Sequence, residues 1–102
     1  MIKNLTPHAV RIQTSAGVVE VPASGTIARV GTKRIPMPEV EGIPVVKTEF
    51  GEVEGLPAPE AGTIFIVSAL VLSRVSRGDV FAPGELIRDA GGNVIACKGL
   101  SQ

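Results

Sequence analysis

At 102 residues the chain has the length of one domain, large enough for a single core but not for a deep, self-contained active site. A hydrophobic fraction of 44% excludes a disordered chain, and three aromatics (Phe50, Phe65, Phe81) are too few for the stacking platform of a single-strand nucleic-acid binder. Ten basic residues balance ten acidic ones, so no overall charge draws the chain towards long nucleic acid or an anionic membrane.

Along the chain, Ile2 to Leu5 reads as an opening strand closed by Thr6-Pro7, because proline holds the preceding residue extended. Val10–Gln13 and Val18–Val21 alternate apolar and polar positions around Ser15-Ala16-Gly17, the pattern of a hairpin. Pro22–Gly25 interrupts the chain and Thr26–Val30 resumes a strand, so the first thirty residues predict an antiparallel meander. From Gly31 to Pro44 three prolines and two glycines predict a loop, long for a domain of this size and of the kind that carries function or assembly contacts. Val45–Phe50 is a strand that continues irregularly to Pro57, with Gly51 a candidate bulge.

Thr63–Arg77 is the longest apolar stretch, and its chemistry changes halfway. Ile64, Phe65, Ile66 and Val67 have the β-branched and aromatic character of a strand buried on both faces. Ser68 has the chemistry of an N-cap, and Ala69 to Val75 carries apolar residues three and four apart, as in a short helix. Gly78 is placed to close that helix, and Arg77-Gly78-Asp79 is a turn, although it spells a cell-adhesion tripeptide. Asp79–Phe81, Glu85–Arg88 and Val94–Lys98 are strand segments, the last two joined through Asp89-Ala90-Gly91-Gly92-Asn93. The expectation is one mainly β (α+β) domain over 1–102: a small antiparallel sheet or partly open barrel with one short helix, and a Pro/Gly-rich loop at 31–44.

Candidate chemistry is sparse. His8 and Cys97 are each single, so no zinc site or internal disulfide is expected, and no cofactor fingerprint occurs. Cys97 falls in an alternating strand as a small core residue. Asn4, Thr6 and His8 are two apart: they either terminate a strand or aim polar groups at a ligand. Glu52 and Glu54 share a face if the chain is extended, as a solvent-facing pair or as paired carboxylates. Ser68 is a cap that also fits an anion at a helix start. Six acids lie between Glu39 and Glu60 against Lys47 alone, while Arg29, Lys33 and Arg34 cluster before them and Arg74 and Arg77 after the helix. These five cations serve either solubility or the bidentate recognition of phosphate.

Taken together, NLTPHAV at Asn4–Val10, GIPVVKTEFGEVEGLPAPE at Gly42–Glu60, IVSALV at Ile66–Val71 and DVFAPGELIRDAGGNVIACKGL at Asp79–Leu100 resemble a family of short bacteriophage and prophage proteins. The chain is also similar in size and character to phage immune-evasion factors that hold host nucleotide signals as homo-oligomers, which would place it in the cytoplasm of an infected bacterium. The resulting expectation is a non-enzymatic protein that binds a small anionic, nucleotide-like ligand without a cofactor, through Thr6, His8, Arg29, Lys33, Arg34, Ser68, Arg74 and Arg77. A metal-independent phosphodiesterase built on His8, and a virion or assembly component using the 31–44 segment, are the alternatives. With no signal-peptide core and no apolar run of membrane length, no membrane partner is expected.

Overall fold

The computed structural model describes residues 1–102. In chain order its elements are β1 (Ile2–Asn4), β2 (Val10–Thr14), β3 (Gly17–Val21), β4 (Arg29–Val40), β5 (Ile43–Glu54), β6 (Ile64–Ile66), α1 (Ala69–Leu72), β7 (Val80–Arg88) and β8 (Val94–Ser101). Six strands form one curled sheet in the order β1-β6-β7-β8-β2-β3, and β4 pairs only with β5. Mainly β with one short helix is therefore the observed class.

β6 runs between two parallel neighbours, with Ile2 opposite Ile64 and Phe65 opposite Val80. Parallel strands covered on both faces need apolar side chains on both, which the Ile-Phe-Ile-Val run supplies. Alternation sends Phe65 and Val67 into a core with Leu5, Ala28, Val30, Val71 and Val80, and Ile66 into a second core with Ile12, Val21 and Cys97. Cys97 is thus the buried core residue expected of it. The sheet curls until its two ends meet: Asn4 at the end of β1 bridges to Ala23 just beyond β3.

The antiparallel meander is corrected. β1 pairs with the distant β6 rather than with its sequence neighbour, β2 runs parallel to β8, and residues 26–28 belong to no strand. Local alternation specifies that a segment is extended but not which segment it joins. The helix is shorter than its apolar spacing implied. Ser68 does cap it, accepting from Val71 N, but the α-helix ends at Leu72 and Ser73 rather than Gly78 is the C-cap. Beyond it the chain tightens into three-residue turn bonds, Arg74 N to Val71 O and Val75 N to Leu72 O.

The larger correction concerns 31–44, which is strand rather than loop. β4 and β5 make a two-stranded arm, closed by a two-residue turn in which Glu41 and Gly42 both have positive φ (49° and 76°), the geometry of a type I′ hairpin. Pro36 lies in register with Val46 and has no N–H, so its nitrogen must face the outer edge; Pro38 and Pro44 fall in the irregular segment between Met37 and Val40. Prolines are tolerated because a two-stranded ribbon leaves half its nitrogens outside the ladder. The expected bulge at Gly51 is present: Val30 pairs with Val53 and Thr32 with Phe50, so Gly51 and Glu52 oppose Gly31 alone. No residue from Thr32 to Phe50 is buried. The arm gives the molecule extents of 55 × 39 × 22 Å and a radius of gyration of 16.8 Å, against about 13 Å for a compact chain of this length.

Candidate functional site

Cross-strand partners lie on the same face of a ribbon and successive residues on opposite faces. One face of the arm starts in the core as Val30 and Val53, then carries Thr32 with Phe50 and Arg34 with Thr48. The other carries Arg29 with Glu54 and Lys33 with Glu49. The first face meets the body at an elbow, where the Arg74 guanidinium lies over the Phe50 ring at 4.8 Å from its centroid. Arg34, opposite Thr48, is a diagonal neighbour of Phe50 on that face, about 7–8 Å away at the backbone and within reach of a long side chain.

This register separates the five cations that the sequence had grouped. Arg29 and Lys33 stand directly opposite Glu54 and Glu49, with which opposite charge is stabilising. Arg77 is fully engaged: Nε donates to Asp79 Oδ1 at 3.0 Å, Nη2 to Asp79 Oδ2 at 2.7 Å and Nη1 to Pro57 O at 2.9 Å. That two-pronged hydrogen bonding holds the Asp79 carboxyl below its ordinary pKa and raises that of Arg77. The Arg-Gly-Asp sequence is therefore closed on itself, as a turn. Arg34 and Arg74 alone of the five stand opposite no carboxylate, while of the five only Arg77 takes part in an ion pair within 4.0 Å.

Thr6 and His8 lie elsewhere, in the loop between β1 and β2, and the side chain that organises them is one the sequence reading left ambiguous. Asn4 is 1% exposed. Its Nδ2 donates to His8 O at 2.8 Å and Val21 O at 3.1 Å, and its Oδ1 accepts from Thr6 N at 2.9 Å and Thr6 Oγ1 at 2.6 Å. The Asn-x-Thr-Pro-His spacing thus encodes a buried clamp joining that loop to the end of β3. The His8 carbonyl is held by it and lies 2.9 Å from Thr6 Oγ1, the alternative acceptor for that single hydroxyl proton, while the imidazole is exposed and makes no hydrogen bond. Ser68 spends its oxygen on Val71 N, and one helical turn has too small a dipole to hold an anion. Glu52 sits in the bulge and Glu54 opposite Arg29.

Concavities are shallow. One of about 200 Å³ lies between β2, β7 and β8, lined mostly by apolar side chains such as Val10, Leu86 and Ile95. Another, about 300 Å³, lies at the arm's base around Gly31 and Gly51, where Glu49, Glu52 and Glu54 outnumber Lys33. Neither environment suits a polyanion, and a third concavity of about 360 Å³ beside Ser76 and Gln102 has Arg77 as its one charged residue, already paired with Asp79. In the Arg34–Phe50–Arg74 elbow, positive charge with no facing carboxylate meets an aromatic ring, Phe50, which also borders the acidic concavity. No protein-family model, curated protein or solved structure matches the chain.

Proposed function

We propose that the chain is a non-catalytic binding protein that takes up a small phosphate-bearing ligand at the elbow and withholds it from other receptors. The observation that carries this reading is the pair of arginines without a carboxylate partner, Arg34 and Arg74, on the face that bears Phe50. Guanidinium groups recognise phosphate oxygens through paired N–H donors, and an adjacent ring adds a flat apolar surface for a base or ribose. The ligand class is a cyclic oligonucleotide or an ADP-ribose derivative, and the setting is a phage-encoded protein withholding a host defence signal. The phage setting is carried over from the resemblance read in the sequence at Asn4–Val10, Gly42–Glu60, Ile66–Val71 and Asp79–Leu100.

The test mixes the protein with a panel of such nucleotides, filters off the free small molecules, then heats the retained protein and follows the released ligand by mass spectrometry. Depletion with intact recovery is expected, and Arg34→Ala and Arg74→Ala should each weaken retention about 10-fold or more, the scale of one charge-assisted hydrogen bond. Retention unaffected by both substitutions would remove the elbow from the account. Recovery of a cleaved product abolished by His8→Ala would replace sequestration with a phosphodiesterase. A second reading, an assembly component, is favoured by the exposed arm; it predicts no depletion of any nucleotide and copurification with assembled particles.

A further inference from the structure

The second face of the arm has no use in the elbow. Beyond Lys33 and Glu49 it continues as Ile35 opposite Lys47, Met37 opposite Val45 and Val40 opposite Ile43. Ile35, Met37, Val40, Ile43 and Val45 therefore form one aliphatic strip on the distal half of the arm. Val40 is 59% exposed, Ile43 62% and Met37 43%, with nothing of this chain above them. A ribbon of two strands is at best marginally stable alone, so a strip of this kind needs cover.

From this strip we infer that the arm is an interface between two copies of the chain, packed face to face about a two-fold axis. Three observations select a second copy, independently of whether the elbow takes an anion. The first is area. The chain exposes 6909 Å², against about 5,400 Å² for a compact monomer of its mass, an excess of about 1,500 Å². That excess belongs to both faces of the arm, so covering one face on each of two copies buries on the order of 1,500 Å² in total, within the roughly 1,200–2,000 Å² of a specific interface.

The second is charge. Between Thr32 and Phe50 the arm carries Lys33, Arg34 and Lys47 against Glu39, Glu41 and Glu49, and the whole chain is formally neutral. Two arms therefore meet without net repulsion. On the strip's own face the charges are Lys33 and Lys47 with Glu49, while Glu39, next to Val40, falls on the opposite face and Glu41 lies in the turn. Antiparallel overlap of two arms lays the same aliphatic strip of each copy on that of the other, the isologous contact of a two-fold axis.

The third is edge chemistry. Pro36 withholds a donor from the outer edge of β4, and Pro38 and Pro44 carry no N–H in either strand's irregular segment. Strand-by-strand addition, which would give open-ended sheets, is thereby hindered, and the apolar face is left as the route of association.

Sedimentation velocity and light scattering over about 0.1–100 μM test this directly, a range in which a dimer with a sub-micromolar Kd stays associated and one about 100-fold weaker dissociates on dilution. The wild type should have twice the mass of the 10.5 kDa chain, and Ile43→Asp should raise the dissociation constant about 100-fold or more, the scale of losing a central apolar contact. Thr48→Asp, on the opposite face, should leave the mass unchanged. Because Ile43→Asp could also lower solubility, the wild type provides a second readout through its two methionines. In hydroxyl-radical footprinting Met37 should become protected as the protein is concentrated, while Met1, 79% exposed, stays reactive. A monomer throughout the range, an open-ended polymer, or a dimer in which Met37 is labelled as fast as Met1 would each overturn the inference.

Discussion

Replacing Asn4 by alanine is the most demanding test of how the N-terminal loop is built. Asn4 is 1% exposed and makes four hydrogen bonds that join Thr6, His8 and Val21. Thr6 Oγ1 can turn to His8 O, already 2.9 Å away, so one bond is re-made. The other three are lost, and at about 1 kcal/mol each the cost is about 3 kcal/mol. A domain of this size has only about 5–15 kcal/mol in total. The melting temperature should fall by about 12–24 °C, at about 4–8 °C per kcal/mol. Urea unfolding followed by far-UV circular dichroism should show a lower midpoint at unchanged slope.

Asn4→Asp sharpens the test. It keeps an acceptor for Thr6 N but turns the donor that faces two carbonyls into a negative oxygen, which burial penalises. The introduced carboxyl should therefore have a raised pKa in the folded state. Stability should be lowest at neutral pH and recover as pH falls through that raised value, when the protonated acid can donate to one of the carbonyls. A loss below about 1 kcal/mol for Asn4→Ala, which is what a single exposed bond is worth, would refute the clamp. So would an aspartate variant without acid recovery.

Three further outcomes follow from the packing. Hydrogen bonds from Arg77 hold the Asp79 pKa below its ordinary 3.8, so the pair stabilises the fold above that value and the benefit fades as pH falls through the folded pKa. Asp79→Asn should flatten the acid side of a stability–pH curve, and an unchanged slope would remove the pair from the stability account. Gly84 lies in β7 against β8, and an added Cβ would collide with the Lys98 and Gly99 carbonyl groups. Gly84→Ala should destabilise by about 2 kcal/mol or more in chemical unfolding, whereas a neutral result would mean the strands separate there at no cost. Gly42→Ala meets no neighbouring atom but must keep φ at +76°, costing about 1–2 kcal/mol. Hydrogen exchange at the arm tip should accelerate about 5–30-fold while the body's exchange stays as it was.

Much of the body was legible because its signals are local. An unbroken Ile-Phe-Ile-Val run can only be satisfied by burial on both faces, and β6 is covered on both. Ser68 at the start of an apolar turn and Gly51 within a strand of alternating character each marked the irregularity found there. The arm was misread for the opposite reason. Three prolines within a few residues lower strand propensity everywhere in that window, yet their cost depends on whether each nitrogen faces a partner strand or an open edge. Pairing decides that, and pairing is not written in the window.

The candidate site divides in the same way. That Arg29, Lys33 and Arg34 form one group of cations along the chain and Arg74 and Arg77 another is a property of the sequence. Which of them faces a carboxylate depends on register, since a slip of one residue would exchange Arg34 for Lys33 opposite Glu49. Asn4 shows the limit most plainly: a polar residue before Leu-Thr-Pro reads equally as a strand end or a ligand contact. Only the meeting of β1 with the end of β3 surrounds its carboxamide with the carbonyls and amide that it joins. Composition and alternation by themselves determined a mainly β fold with its core around β6. The pairing of segments far apart in sequence decided the curl of the sheet, the projecting arm and the two arginines without a carboxylate, because contact energies between distant residues exist only once the chain has closed.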